Sequence, residues 1–234
     1  MNYAIIAAGE GSRLAQEGVS LPKPLVRLDG QPMIERLINI FLRCHAESIS
    51  IIVNEQMTEV QQFLRSLTLP VPLNLVVRTT PSSMHSFWHL SQVLPQGKFC
   101  LTTVDTIFRE DDFARYIQAF ENDKESDGLW AVTPFIDDEK PLYVEVDEDM
   151  RITAFCDKAF EDAKYVSGGI YAMTSRAFTT LNRCIEQGVS RMRNFQRALV
   201  ANGLNLRAYA IEKIVDVDHA ADIATAEQFI QQPS

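Results

Sequence analysis

An apolar run, Ala4-Ile5-Ile6-Ala7-Ala8, leads without a break into Gly9-Glu10-Gly11-Ser12-Arg13-Leu14, and Pro22-Lys23-Pro24-Leu25-Val26 follows shortly after. Such a run, ending in a turn of small residues, reads as a buried strand whose loop lets another molecule approach its backbone. Arg13 lies in that loop and Lys23 sits between two prolines just beyond it, so two cations stand where an anion would rest. Backbone N–H groups combined with fixed cations are what polyphosphate binding requires. Two other glycine-rich readings fail on the residues. The dinucleotide fingerprint needs a third glycine where Leu14 stands, and Asp29-Gly30 reads better as a turn than as a ribose-binding acid. The phosphate loop of the G-K-[ST] type needs a lysine close behind Gly11, and none is there.

The 234 residues suit one generous domain, and a hydrophobic content of 46% allows a sizeable core. A formal net charge of −9 argues against sequence-independent nucleic-acid binding, which needs a basic surface. Cys44, Cys100, Cys156 and Cys184 are widely spaced and form no C-x-x-C, so buried reduced thiols are expected rather than a disulfide framework or a zinc site. No basic leader with an apolar core and no bilayer-length apolar run is present, which leads to the expectation of a cytoplasmic protein without a membrane partner. A homo-oligomer stays open.

Strand and helix signals alternate through the first half. Strands are expected over 3–8, 48–53, 73–77 and 98–104. Helices are expected from Pro32 to Leu42 and over 56–67, 84–94 and 111–121. This order implies a mostly parallel sheet with helices on both faces. After residue 128 the pattern changes. A strand at 128–133 precedes a hairpin of 142–146 with 152–155, which turns at Asp147-Glu148-Asp149. A strand at 165–173, helices near 175–187 and 192–202, a strand at 205–211 and a helix at 220–231 complete the chain. The expected division is a nucleotide-binding half over about 1–127 and an acceptor-binding extension over about 128–215, within one domain.

Three further segments can carry chemistry. Asp105 closes the strand ending in Thr102-Thr103-Val104, and in open α/β sheets ligands bind at that edge. Asp216 and Asp218 alternate along Val215-Asp216-Val217-Asp218, so both point the same way, and two such carboxylates call for a cation or donors between them. Asp218 also reads as a cap for the last helix, and Asp222 as a first-turn charge that suits the helix dipole. Ser82 and Ser83 can donate and accept at a base edge. Phe87 and Trp88 read as core residues of a helix, or alternatively as a cation–π wall for a quaternary amine.

The pattern A-A-G-x-G-S-R-L followed by P-K-P-L-V resembles the signature of the nucleotidyltransferases that make activated sugars and phospho-alcohols, the sugar-1-phosphate nucleotidyltransferases above all. The likeness is strong over residues 3–40 and patchy beyond. It implies a Rossmann-like three-layer α/β/α fold with a mostly parallel mixed sheet, of the nucleotide-diphospho-sugar transferase type. It also implies transfer of a nucleoside monophosphate from an NTP to a small phosphorylated acceptor, with Mg²⁺ as cofactor and pyrophosphate as product. The implied roles are Arg13 on the leaving pyrophosphate and Lys23 on the transferring phosphoryl. The backbone around Ala8, Gly9, Gly11 and Ser12, with Ser82 and Ser83, would hold the nucleotide, and Asp105 with Asp216 or Asp218 the metal.

Two later segments extend the likeness, with departures. Arg151-Ile152-Thr153-Ala154-Phe155-Cys156-Asp157-Lys158 resembles R-I-x-x-F-x-E-K-P, where the lysine contacts the acceptor's phosphate and the acid its sugar hydroxyls. Asp157 shortens that acid and Ala159 replaces the proline. Tyr165-Val166-Ser167-Gly168-Gly169-Ile170-Tyr171 resembles F-V-N-A-G-I-Y, whose small residues would let an acceptor lie against the strand, with Ser167 in place of the asparagine. The stretch Ser82 to Trp88 is instead similar to the N-N-x-x-S-L-W of phosphocholine and related cytidylyltransferases. Three readings follow: a sugar-1-phosphate nucleotidyltransferase first, a phospho-alcohol cytidylyltransferase as alternative, and a non-catalytic binding domain on the same fold. Retention of Arg13, Lys23, Asp105 and Asp216 speaks against the last.

Overall fold

A computed structural model describes residues 1–136 and 139–232. The first half runs β1 (Asn2–Ala7), α1 (Ser12–Gln16), β2 (Arg27–Leu28), β3 (Gln31–Pro32), α2 (Met33–Arg43), β4 (Ser48–Val53), α3 (Thr58–Ser66), β5 (Leu73–Val77), α4 (Ser83–Ser91), β6 (Lys98–Thr103), β7 (Thr106–Ile107) and α5 (Glu110–Asn122). The second half runs β8 (Gly128–Thr133), β9 (Tyr143–Val146), β10 (Ile152–Cys156), β11 (Tyr165–Thr174), α6 (Ala177–Glu186), α7 (Met192–Ala201), β12 (Leu206–Ala210), β13 (Val215–Asp216) and α8 (Ala220–Gln231).

All six residues of β1 are buried, because it lies in the middle of the sheet between parallel neighbours β4 and β6. Its side chains part to the two faces with the period of a strand. Tyr3, Ile5 and Ala7 join one core layer with Phe41 and Phe113, whereas Ala4, Ile6 and Ala8 join the other with Phe87, Phe99 and Phe195. Helices α2 and α5 supply residues to the first layer, and α4, α6 and α7 supply residues to the second. The result is a three-layer α/β/α arrangement around a sheet apolar on both faces.

The strand order places the site. From β1 the chain moves outward through β4 to β5, then returns by α4 to β6 on the opposite side of β1. The connections therefore diverge between β1 and β6, and the loops leaving these two strands border a crevice at their carboxyl ends. Beyond β6 lies β11, antiparallel to it; β8 pairs antiparallel with β11, and β12 runs parallel to β8. The expected hairpin forms as β9 and β10 and attaches to the first residues of β11. Asp147 seats its turn by accepting the N–H groups of Asp149 at 3.0 Å and Arg151 at 2.8 Å.

Several small elements escaped the reading of periodicity. Asp29 and Gly30 both have positive φ, at 49° and 78°, which is the two-residue turn that joins β2 to β3. Pro32 pairs in β3 as the residue just before α2. A two-stranded ribbon, β7 with β13, sets Asp216 opposite Thr106. Among the described residues no helix is long and apolar enough to cross a membrane.

Candidate active site

The loop between β1 and α1 is shaped by one glycine. Gly11 has φ 62°, and a Cβ added to it would stand 2.9 Å from the Cβ of Lys23. The segment Pro22–Leu25 therefore packs directly on the loop, and the short 3₁₀ turn at Lys23–Leu25 aims the lysine back toward the sheet edge. Gly9, in contrast, has nothing within 4 Å of its added Cβ and lines the open cavity.

Lys23 is the centre of the site. Its Nζ lies 2.5 Å from an oxygen of Asp105, just past the end of β6, and 2.6 Å from Oδ1 of Asp218, just past β13. Arg13 reaches the other oxygen of Asp218 at 3.0 Å. Val217 N–H donates to the Asp105 carbonyl at 3.1 Å, which brings the two aspartates together although they are far apart in sequence. Burial works to lower the Lys23 ammonium pKa, and the charges and hydrogen bonds of Asp105 and Asp218 override it, so the value is raised. Burial likewise pushes the Asp218 carboxyl up, and Lys23, then Arg13, hold it below its ordinary value. Lys23 and Asp218 therefore stand as a charged pair at neutral pH.

Two sizeable cavities meet at this cluster, beside a smaller one of about 80 Å³ lined in part by Arg13, Ser167, Gly168, Asp216 and Asp218. The larger, about 610 Å³, is lined by Ala8, Gly9, Gly11 and Ser12 from the loop, by Ser82 and Ser83 at the start of α4, and by Asn54, Thr79 and Thr80 from the ends of β4 and β5. Arg13, Lys23, Asp105 and Asp218 form its wall. The second, about 300 Å³, lies on the β11 side and shares Asp105 and Asp218 with the first. Asp216, Ser167, Gly169 and Tyr171 line it, together with Arg191, Arg193 and Gln196 of the α7 region. The first volume suits a nucleotide and the second a smaller molecule. Burial pushes the Tyr171 phenol up to about 12, against hydrogen bonds from Ser167 and Gln196 that lower it, so the phenol stays protonated at neutral pH.

The surroundings of the carboxylates bear on whether they suit a divalent cation. Asp105 and Asp218 already hold one cation, the Lys23 ammonium, between them, and Asp216 faces the same second cavity. Among the described residues no three His, Cys, Asp or Glu side chains form a metal-holding group by themselves. Two carboxylates with open space on either side fit the needs of Mg²⁺, which completes its shell with phosphate oxygens and water. The donor set fits the cation in that sense.

Residues 3–202 match the MobA-like NTP transferase domain. The chain belongs to that family. It is 29% identical over 113 residues to the 2-aminoethylphosphonate cytidylyltransferase of Lancefieldella rimae, covering 47% of this chain and 45% of that protein. It is 24% identical over 161 residues to the bifunctional IPC transferase and DIPP synthase of Thermococcus kodakarensis, covering 68% of this chain and 33% of that one. The chain thus spans less than half the length of either curated relative. The inositol-1-phosphate CTP transferase of T. maritima superposes with a TM-score of 0.81 at 19% identity, over 99% of this chain and 98% of the other. A candidate glucose-1-phosphate thymidylyltransferase from Bacillus anthracis gives 0.85 at 20%, over 100% and 96%. These likenesses bear out the nucleotide-diphospho-sugar transferase fold.

Within this member of the MobA-like family, the structure gathers Arg13, Lys23, Asp105 and Asp218, with the loop of Ala8 to Ser12, at one sheet edge. It treats the expected acceptor residues differently. Lys158 is exposed and does not line the second cavity. Asp157 is tied to α7 instead, with Oδ1 2.6 Å from Arg193 and Oδ2 2.7 Å from Arg197. Gly168 and Gly169 line cavities as expected, and their small size also answers to protein neighbours. An added Cβ would stand 2.3 Å from Ile214 Cδ1 at Gly168, and 2.6 Å from Thr106 Oγ1 at Gly169, where φ is 74°. Neither aromatic of α4 faces the site. Phe87 is fully buried against Phe99 and Phe195, and Trp88 donates to Asn182 of α6 at 3.0 Å. Asp218 does not cap α8; that place belongs to His219, with Asp222 accepting its N–H at 2.6 Å.

Sequence reasoning missed the latch that joins the two ends of the site. Glu17, just after α1, meets His219 Nδ1 and the Ala220 N–H, both at 2.6 Å. It also missed Arg191, Arg193 and Gln196, which carry no motif and stand out only once α7 is docked.

Proposed function

We propose that the chain transfers a nucleoside monophosphate from an NTP to a sugar-1-phosphate, forming an NDP-sugar and releasing pyrophosphate. The observation that carries this reading is Lys23 held between Asp105 and Asp218 at the wall shared by a nucleotide-sized and a smaller cavity. A phosphate oxygen of the acceptor, in the smaller cavity, attacks the α-phosphorus in line. The bond from that phosphorus to the bridging oxygen breaks, and pyrophosphate leaves on the Arg13 side. The attacking phosphate is ionised at neutral pH, so the site needs no base and no protein nucleophile. Catalysis rests on positioning and on charge neutralisation by Arg13 and Lys23. A Mg²⁺ ion held by Asp105 and Asp218, with Asp216 beside them, would supply further neutralisation of phosphate oxygens when bound. The division of labour follows the two halves, nucleotide to about residue 127 and acceptor beyond it.

A sugar-type acceptor is supported by the turning of Trp88 and Phe87 into the helix layer, which leaves Ser167, Tyr171, Gln196 and Asp216 as hydroxyl-matching groups. A second reading, cytidylyl transfer to a phospho-alcohol or phosphonate, is favoured by the Lancefieldella relative. Pyrophosphate release measured across four NTPs, crossed with sugar-1-phosphates, phosphocholine and 2-aminoethylphosphonate, tests both. Release with a sugar-1-phosphate supports the first, release confined to CTP and a phospho-alcohol or phosphonate supports the second, and no release with any pair overturns both.

A further inference from the structure

The second cavity has a cationic wall that no motif announced. Arg191, Met192 and Arg193 are the residue before α7 and its first two residues, and all three line the cavity, with Gln196 one turn further on. The positive end of a ten-residue helix and two arginines therefore line the same space as Asp105 and Asp218. Arg191 holds φ 74°, unusual for an arginine, and its N–H points to Ser82 Oγ at 3.4 Å, so the start of α7 is fastened to the nucleotide cavity. Gln196 is 2% exposed; its side chain bonds to the Tyr171 phenol, and among the described residues its Oε1 has no hydrogen-bond partner. A buried carbonyl in that condition is stabilised when a donor arrives, and a hydroxyl or ammonium on a ligand is such a donor.

Asp157 explains how the wall is held. Arg193 donates through Nη1 to Asp157 Oδ1 at 2.6 Å and through Nη2 to the Lys140 carbonyl at 3.0 Å. Arg197 places Nη2 2.7 Å from the other Asp157 oxygen and donates through Nε to the Phe155 carbonyl at 3.0 Å. Both oxygens of Asp157 are thus engaged by α7, and the neighbouring Lys158 points to solvent.

We propose that Arg193, with Arg191 beside it, holds the phosphate or phosphonate of the acceptor, and that Gln196 accepts a hydrogen bond from the acceptor's body. Asp157 is a positioning residue that fixes Arg193 and does not touch the acceptor; Lys158 has no part in anion binding. The location rests on the nucleotidyl-transfer reading, but the anion chemistry does not.

Inorganic phosphate is the probe, titrated by calorimetry into the protein in an Arg13→Ala background. That background removes the nucleotide-side guanidinium, and Lys23 is already neutralised by two carboxylates. Adding Arg193→Ala lowers phosphate affinity roughly ten- to a hundredfold, the range for a charge-assisted hydrogen bond. Arg193→Lys restores part of it, Asp157→Asn loses several-fold, and Lys158→Ala binds as the background does. Phosphate affinity lost with Lys158→Ala and kept with Arg193→Ala overturns the proposal. Arg193-dependent phosphate binding in a protein that releases no pyrophosphate with any pair would overturn the enzymatic reading and leave this one standing. Where a substrate pair turns over, Arg193→Ala and Asp157→Asn raise the acceptor KM while the NTP KM stays near that of the parent, a split that loss of structure alone would not give.

Discussion

Replacing Gly11 with alanine asks whether the backbone of the first loop sets the position of Lys23. The added methyl group meets two obstacles. At φ 62° an L-residue sits in left-handed backbone, which costs about 1–2 kcal/mol. The methyl carbon would also stand 2.9 Å from the Cβ of Lys23. That Cβ is the anchored end of the side chain, so relief requires the main chain of the Pro22–Leu25 turn to retreat, at about a further 1 kcal/mol. The sum, about 2–3 kcal/mol, corresponds to a fall of roughly 4–12 °C in the thermal midpoint of a chain this size. Turnover suffers more. Lys23 touches Asp105 and Asp218 at 2.5 and 2.6 Å, and a displaced main chain withdraws the ammonium from both. A misplacement of about 1 Å can cost about a hundredfold in rate, so a tenfold or greater drop in kcat is expected here. Thermal melting followed by circular dichroism and steady-state pyrophosphate release measure the two effects. Gly9→Ala is the control: its methyl group meets nothing within 4 Å and enters the nucleotide cavity, so it keeps the melting point and raises the NTP KM. A Gly11→Ala protein with parental melting point and kcat would refute the reasoning, as would a Gly9→Ala protein destabilised equally.

Arg13→Ala lowers kcat by on the order of a hundredfold with little change in melting point, since its ion pair with Asp218 is largely exposed; near-parental turnover would remove Arg13 from the mechanism. Lys23→Ala lowers kcat at least as much and is less stable by up to about 3 kcal/mol, because two partly exposed carboxylates then face each other without their cation. Asp105→Asn needs far more Mg²⁺ for its residual activity, and an unchanged metal titration would return Asp105 to a purely structural role as partner of Lys23. Trp88→Ala loses about 2–3 kcal/mol, because the ring is half-buried between α4 and α6, and activity on every acceptor falls together; selective loss of phosphocholine turnover in a well-folded variant would contradict that placement. The Asp218 carboxyl has a depressed pKa in the folded chain, so its contribution is present above the ordinary aspartate value of about 3.9 and is lost as pH falls through the lower folded value. The melting point should therefore hold from neutral pH down to about 5 for this pair, and Asp218→Asn should flatten the fall below that; identical acid limbs in the two proteins would exclude it.

The parts of the site that could be read in the sequence are those encoded by neighbours. The β1 run, its glycine turn and Arg13 lie within a dozen residues, and an apolar run buried on both faces leaves few folds open. Asp105 was legible because it follows a buried strand, and a strand end in a parallel sheet is a ligand edge by topology alone. The alternation of Asp216 and Asp218 was legible for the same local reason, each following a buried valine, Val215 or Val217. The capping assignment failed because the residue that matters, His219, is fixed by Glu17, some two hundred positions earlier.

The acceptor side was less legible because its neighbours are supplied by packing rather than by spacing. Gly168 and Gly169 look like a surface kept bare for a ligand, and they do line cavities, but the atoms that also require their small size belong to Ile214 and Thr106, beside and within the β7–β13 ribbon. Asp157 and Lys158 look like adjacent ligands, yet on the twisted edge of β10 one turns toward α7 and the other toward solvent. A motif of adjacent residues can be kept while the partner of each side chain changes, because the partner is chosen by whichever helix docks there. Here that helix is α7, which brings Arg193 to Asp157 on one side and to the cavity on the other. The nucleotide half of the fold, built from successive crossovers around β1, leaves little room for such an exchange. The antiparallel extension around β11 does, and it is there that the proposed acceptor site lies.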